Sequence, residues 1–212
     1  MKKRILCFGD SNTWGYIAGD GGRYPEDVRW TGVMRRALGE DFEVIEEGYN
    51  GRTTVFDDPV EGRLSGIRYF GACLDSQSPL DLVVLMLGTN DLKMRFGVDA
   101  WTIAFGFNRY LDALRITPMA GERPKVLLAA PILLGEAYKR DPLMHGMMGD
   151  RGVERSLEFT PAYRDFAETA GIEFIDASLY GSASDADGLH MAPADHARLG
   201  AAMAERVKKI LG

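Results

Sequence analysis

Cysteine is scarce in this 212-residue chain, limited to Cys7 and Cys73. Two thiols cannot build a disulfide framework, and no partner ligands at zinc-site spacing accompany them, so a reducing, cytoplasmic setting is expected. A block of basic residues is also missing. The 31 acidic and 25 basic side chains leave a formal charge of −6, which lacks the electrostatic footprint that phosphate backbones demand and excludes nucleic acid as a partner. Long apolar runs are absent. Behind Lys2, Lys3 and Arg4 the chain is apolar only over residues 5–8, too short for a signal peptide. The longest run elsewhere, residues 82–87, falls far below the roughly 20 residues that span a bilayer, so no membrane partner is expected. There is no internal repeat, low-complexity tract or linker, and residues 1–212 read as one domain. At 46% hydrophobic and 26% charged residues, such a chain can bury roughly 70% of its unfolded surface around one core.

What is present alternates. Five short apolar runs, at residues 4–8, 43–47, 81–87, 125–130 and 173–176, read as parallel strands covered on both faces. Between them lie amphipathic patterns. Residues 27–38 place Val28, Thr31, Met34, Arg35 and Leu38 at helical spacing and stop at Gly39. Residues 98–114 are similarly periodic. A third helix is expected from Thr160 as N-cap with Pro161 at its first position, and a fourth from about Pro193 to the end. Strands alternating with helices predict a doubly wound α/β sheet. Two segments carry no clear period: residues 17–25, rich in Gly and charge, and residues 132–156 with the run Leu143-Met144-His145-Gly146-Met147-Met148-Gly149. Both follow strand ends, at the carboxyl edge where open α/β sheets bind ligands.

The polar residues gather at the same edge. Directly after the first strand comes Phe8-Gly9-Asp10-Ser11-Asn12-Thr13-Trp14-Gly15. A serine hydroxyl there projects from a strand-to-helix turn into the crevice, although Asp, Ser and Asn are also ordinary helix caps. Near the other end, Asp185-Ala186-Asp187-Gly188-Leu189-His190 sets an acid three residues before a histidine. The carboxylate can curl back onto Nδ1 and leave Nε2 as a base. The other two of the three histidines fit worse: His145 sits in the irregular Met-rich segment, and His196 inside the terminal helix pattern, in a solvated or core role. After the third strand, Leu87-Gly88-Thr89-Asn90-Asp91 offers a side-chain amide, and after the second, Glu47-Gly48-Tyr49-Asn50-Gly51-Arg52 offers a glycine amide. An oxyanion needs such donors, and each stretch is otherwise a plain turn.

Jointly, these four blocks resemble the SGNH (GDSL-type) hydrolases, through Gly9-Asp10-Ser11, Gly51 within Asn50-Gly51-Arg52, Gly88-Thr89-Asn90-Asp91 and Asp187-Gly188-Leu189-His190. The resemblance covers essentially the whole chain. It is closest to the bacterial arylesterase, acetylesterase and acyltransferase branch, through residues 7–15, Arg29-Trp30-Thr31-Gly32, residues 44–48 and Arg52-Thr53-Thr54. It implies a single-domain, flavodoxin-like α/β sandwich with a five-stranded parallel sheet, and a serine esterase acting on short-chain, above all acetyl, esters of small alcohols, aryl alcohols or carbohydrates. By the same resemblance Ser11 is the nucleophile, His190 the base and Asp187 its orienter, with the Ser11 amide, Gly51 and Asn90 as the oxyanion hole. Asp10, Asn12, Trp14, Tyr16 and Lys93 are the candidate substrate contacts, and no cofactor or metal is implied. Relatives in this branch form oligomers, octamers among them, so a homo-oligomer is expected. Acyltransferase, perhydrolase, lysophospholipase and thioesterase activities are the alternatives within the family. Asn12 stands where the acyltransferases typically carry an apolar residue, and residues 132–156 do not look like their counterpart.

Other classes fit less well. Ser11-Asn12-Thr13 could hold the phosphate of an FMN in a flavodoxin-like electron carrier, but Trp14 and Tyr16 stand where further Ser, Thr or Gly are wanted. No dinucleotide or P-loop glycine motif follows any strand. A catalytically dead carbohydrate-binding relative would have lost a catalytic residue, and none is lost. His190 and His196, six apart with Asp195 between them, do not share a helical face for a metal. Residues 132–156 are read either as an adaptable wall that selects the acyl group, because methionine fills irregular gaps, or as side chains that only pack under a surface loop or against a neighbouring subunit.

Overall fold

The computed structural model describes residues 2–63 and 65–212. Five strands, β1 (Lys3–Gly9), β2 (Phe42–Gly48), β3 (Leu82–Met86), β4 (Lys125–Ala130) and β5 (Glu173–Asp176), form one parallel sheet in the order β2-β1-β3-β4-β5. Each coincides with a run expected from the sequence. The α-helices among the described residues are α1 (Ser11–Trp14), α2 (Trp30–Leu38), α3 (Gly66–Gln77), α4 (Ala100–Gly106), α5 (Asn108–Ile116), α6 (Pro142–Met148), α7 (Gly152–Leu157), α8 (Phe159–Ala170) and α9 (Pro193–Leu211). Side chains alternate across a strand, so each strand feeds two cores. Leu6, Phe8, Val83, Leu85 and Leu128 face one way, against Phe70 and Leu74 of α3, Ile103 of α4, Tyr110 of α5 and Tyr163 of α8. Ile5, Cys7, Leu82, Val84 and Leu127 face the other way, against Trp30 and Met34 of α2 and Leu199, Met203 and Val207 of α9. Burial on both faces is why the strands read as continuous apolar runs.

The helices differ from expectation where tertiary partners decide their ends. α2 starts at Trp30, not residue 27, because Arg29 stays extended while its guanidinium is drawn onto Glu46 at 2.6 Å. The Trp30 amide, an orphan donor of the first turn, donates to His196 Nδ1 at 3.2 Å. The pattern at 98–114 splits into α4 and α5 at buried Phe107, whose amide reaches back only three residues to the Ala104 carbonyl at 3.0 Å. Thr160 does not cap α8. The chain enters that helix straight from α7 through Glu158 in helical conformation, and the Thr160 hydroxyl instead donates to Asp176 at 2.8 Å. The region 132–156 is not irregular: it holds a 3₁₀ turn (Glu136–Arg140), α6 capped by Asp141, and α7, each too short to display a period. Helix α3 is absent from the sequence reading, although Ile67, Phe70 and Leu74 carry its spacing.

The strand order has a functional consequence. The chain steps from β1 outward to β2, then returns past β1 to β3, so connections leave the carboxyl ends of β1 and β3 in opposite directions and a crevice opens there. The Ser11 turn follows β1, and the Thr89–Leu92 turn follows β3.

Candidate active site

Ser11 opens α1, a single turn capped by Asp10, whose carboxylate accepts from the Asn12 amide at 3.0 Å. Capping and projection are thus both realised, by neighbouring residues. Burial pushes the Asp10 carboxyl up to about 6, against the opposing pull of the Asn12 amide and of the His190 and Arg52 charges. Ser11 Oγ lies 2.9 Å from His190 Nε2, and His190 Nδ1 lies 2.6 Å from Asp187 Oδ2. The other Asp187 oxygen accepts from the amides of Leu189 and His190 at 2.9 and 3.0 Å, which folds the 187–190 turn onto its own acid. Burial raises the Asp187 carboxyl, but the His190 ring bond, the imidazole charge and those two amides outweigh it and hold it below the usual carboxylate range. An ionised Asp187 can only accept, so the ring proton sits on Nδ1 and Nε2 faces the serine hydroxyl as an acceptor.

Donors for a developing negative charge come from the two neighbouring turns. Asn90 Nδ2 donates to the Arg52 carbonyl at 3.1 Å, which aims the amide and leaves its second hydrogen for the crevice. Asp91, fully buried, accepts from the Thr54 amide at 2.9 and 3.0 Å and from the Thr54 hydroxyl at 2.6 Å. Burial pushes the Asp91 carboxyl up to about 7; the Thr54 bonds pull it down and the nearby Asp10 charge adds to the rise. Adjacent side chains therefore clamp residues 52–54 to the end of β3. Arg52 closes the group from below, donating to the carbonyls of Gly9 and Glu47 with its guanidinium 4.0 Å above the Phe8 ring. Two glycines are required here. Gly51 has φ +75°, and Gly88 has φ +131° with no room for a Cβ, which would stand 2.1 Å from Tyr163 Oη.

A cleft of about 190 Å³ gathers Ser11, Gly51, Asn90, His190, Tyr16 and Lys93 from the sequence-derived set, and Met144, Met147 and Met148 from the Met-rich segment. Tyr16 packs its ring 4.3 Å from the His190 ring. Three expected substrate contacts lie outside this lining. Asp10 is buried beneath Ser11 as the cap. Asn12 turns inward, donating to the Leu189 carbonyl at 3.1 Å and accepting from the Met191 amide at 3.0 Å, so it ties α1 to the histidine turn. Trp14 packs under Arg23, 5.2 Å from its ring. With Ser11 bonded to His190 and Thr13 buried, the hydroxyls of this turn offer no open phosphate cradle. Glu61 and Arg63 also line the cleft and were not singled out in the sequence. Their only signal is a charged turn, and its partners Lys93 and Arg95 lie some thirty residues away. A second, wider cleft of about 520 Å³ meets the first at His190 and is lined by Asp20, Arg140, Asp141 and Asp187. Among the described residues no group of three His, Cys, Asp or Glu side chains is placed to hold a metal ion, and no helix is long and apolar enough to cross a membrane.

Solved structures of known proteins are similar to this chain over nearly its whole length. The native aryl esterase of M. smegmatis superposes with a TM-score of 0.92 at 39% identity, covering 98% of this chain and 99% of that one. A carbohydrate acetylesterase from Sinorhizobium meliloti gives 0.92 at 39% identity over 99% and 100% of the two chains. A lipase/acylhydrolase from Enterococcus faecalis shares the fold, with a TM-score of 0.71 at 20% identity over 98% and 96%. No curated protein sequence matches the chain. The family model of the GDSL-like lipases and acylhydrolases matches residues 7–199, and the chain belongs to that family.

Proposed function

We propose that the protein is a serine esterase that cleaves short-chain acyl esters through an acyl-enzyme, with residues 1–212 acting as one unit. The observation that carries this reading is the chain of contacts from Ser11 through His190 to Asp187 at 2.9 and 2.6 Å, in a cleft that also presents the Asn90 amide. Ser11 Oγ attacks the ester carbonyl carbon while His190 Nε2 takes its proton. The negative charge moves to the carbonyl oxygen, where the amides of Ser11 and Gly51 and the free hydrogen of Asn90 meet it. Asp187 stabilises the imidazolium. Collapse of the tetrahedral adduct breaks the carbon–oxygen bond of the ester, and His190 returns the proton to the departing alkoxide. Water then repeats the sequence on the acyl-enzyme and releases the acid.

The two clefts divide the substrate. His190 borders both clefts, so with the acyl group held at the oxyanion donors the leaving alcohol falls to the wider one, with Asp20, Arg140 and Asp141. The acyl group lies beside the oxyanion donors in the 190 Å³ cleft, smaller than the usual 300–1,000 Å³ of ligand pockets, which favours acetyl and its near neighbours. The names of the similar structures, an aryl esterase and a carbohydrate acetylesterase, support aryl or sugar alcohols as leaving groups. Purified protein assayed on p-nitrophenyl acetate and on acetylated sugars should release acetate from at least one of them. Inactivity on every ester would overturn the reading.

Two coarser features belong to the same proposal. Cys7 and Cys73 are buried free thiols that desolvation pushes up, Cys73 to about 12, so both are inert and suit a reducing cytoplasm. Homo-oligomerisation is supported by a groove of about 500 Å³ between α4, α5 and α8, beside which Phe105 is 71% and Trp101 48% exposed.

A further inference from the structure

One three-residue turn fastens both walls of the acyl cleft. It is the 3₁₀ turn Met94–Phe96, which follows the oxyanion asparagine by four residues. On one side of it lies the segment 56–63, closed into a loop by the Asp58–Arg63 bridge. The Phe96 ring packs 5.9 Å from Phe56, and Arg95 Nη2 reaches Asp58 at 3.0 Å and also Glu61, which lines the cleft. On the other side lies α6. Met94 lies against Gly149 at its end, and the same Arg95 Nη2 sits 3.9 Å from Met147 Sδ. Lys93, buried inside the cluster, pairs with Glu61 at 2.6 Å and Asp58 at 3.5 Å. The guanidinium of Arg95 is thus the group that touches both an acidic residue of one wall and a methionine of the other.

We propose that Arg95 is a positioning residue for acyl selectivity: from outside the cleft it pulls Glu61 and Met147 together and closes the far end, so that only short acyl groups fit. This rests on the esterase reading above. A longer chain must part Glu61 from Met147, which breaks the Arg95 contacts and leads apolar methylenes onto a carboxylate. One nitrogen of the delocalised, weakly hydrated guanidinium, Nη2, faces all three partners, whereas a lysine would bring a compact, strongly hydrated point charge. Without Arg95 both carboxylates keep Lys93, so the loop retains an anchor while the tie to α6 is lost.

The test is the acyl-length profile on p-nitrophenyl esters, read beside thermal unfolding. Wild-type protein should lose kcat/KM steeply between butyryl and octanoyl. Arg95→Ala should raise the hexanoyl-to-acetyl ratio of kcat/KM by about tenfold or more, the scale of a few methylene contacts, while acetyl hydrolysis persists. Arg95→Lys should fall between the two. A hexanoyl-to-acetyl ratio in Arg95→Ala within about twofold of wild type, or loss of both activities in parallel, would overturn the proposal. Should Arg95→Ala not fold, the Arg95→Lys ratio and the wild-type profile still decide: octanoyl cleaved as fast as acetyl refutes a closed end. A wild-type protein inactive at every acyl length would instead refute the esterase reading.

Discussion

The three histidines occupy three environments, and the difference decides which of them can do chemistry. His190 stands between an acid and a hydroxyl; His145, on α6, meets Asp150 at 2.7 Å. His196 is fully buried, lends Nδ1 to the first amide of α2, and is pushed down to about 4 by burial. An unfolded histidine takes its proton near 6.5, so between about 6.5 and 4 the unfolded chain binds more protons than the folded one and stability falls as pH falls. The raised carboxyls of Asp10 and Asp91 act in the opposite sense, but they are common to wild type and a His196 variant. Urea unfolding of wild type and His196→Gln should therefore show the wild-type advantage shrinking by about 2–3 kcal/mol from pH 7 to pH 4.5. A gap independent of pH would mean that His196 is not held neutral. In the proposed mechanism the free hydrogen of Asn90 acts on the oxyanion and not on bound substrate, so replacement by alanine should lower kcat by about 10² to 10³ with little change in KM. Steady-state kinetics on an acetyl ester reads this directly.

At the scale of elements, α1 and the histidine turn are held in register by one side chain. Asn12 bonds both the Leu189 carbonyl and the Met191 amide, and alanine would leave these two buried groups without partners. Asn12→Ala should cost about 2–4 kcal/mol in chemical unfolding and also lower kcat, because the Ser11–His190 distance loses its tie. Wild-type stability in that variant would show the two bonds to be dispensable. The same residue shows where sequence reading stops. Beside Ser11 it reads as a substrate contact, but one step along a helical turn rotates a side chain away from its neighbour, and here the rotation points inward. The five strands were readable because burial on both faces leaves continuous apolar runs, and the four polar blocks because they follow those strands. The starts of α2 and α8 were not, since Glu46, His196 and Asp176 decide them from distant parts of the chain. The charged turn at 58–63 was missed for a related reason: its meaning comes from Lys93 and Arg95, which join it only in the fold.

For the whole molecule, the strand order brings four separated blocks to one crevice, and on the outside a groove between α4, α5 and α8 exposes Trp101 and Phe105. If that groove is a contact between copies, Phe105→Glu should shift the particle mass in light scattering down to that of one chain without unfolding it. A wild-type protein that is already a monomer would remove the oligomer from the account. The central claim concerns Ser11, and the most direct measurement is mass spectrometry after treatment with a phosphonate or sulfonyl fluoride. These reagents capture a serine only when a base activates it and an oxyanion site receives the adduct. One adduct per chain is expected, on Ser11, with ester hydrolysis lost in proportion and both reaction and hydrolysis abolished in Ser11→Ala. Labelling of a different serine, with Ser11→Ala still hydrolysing esters, would contradict it.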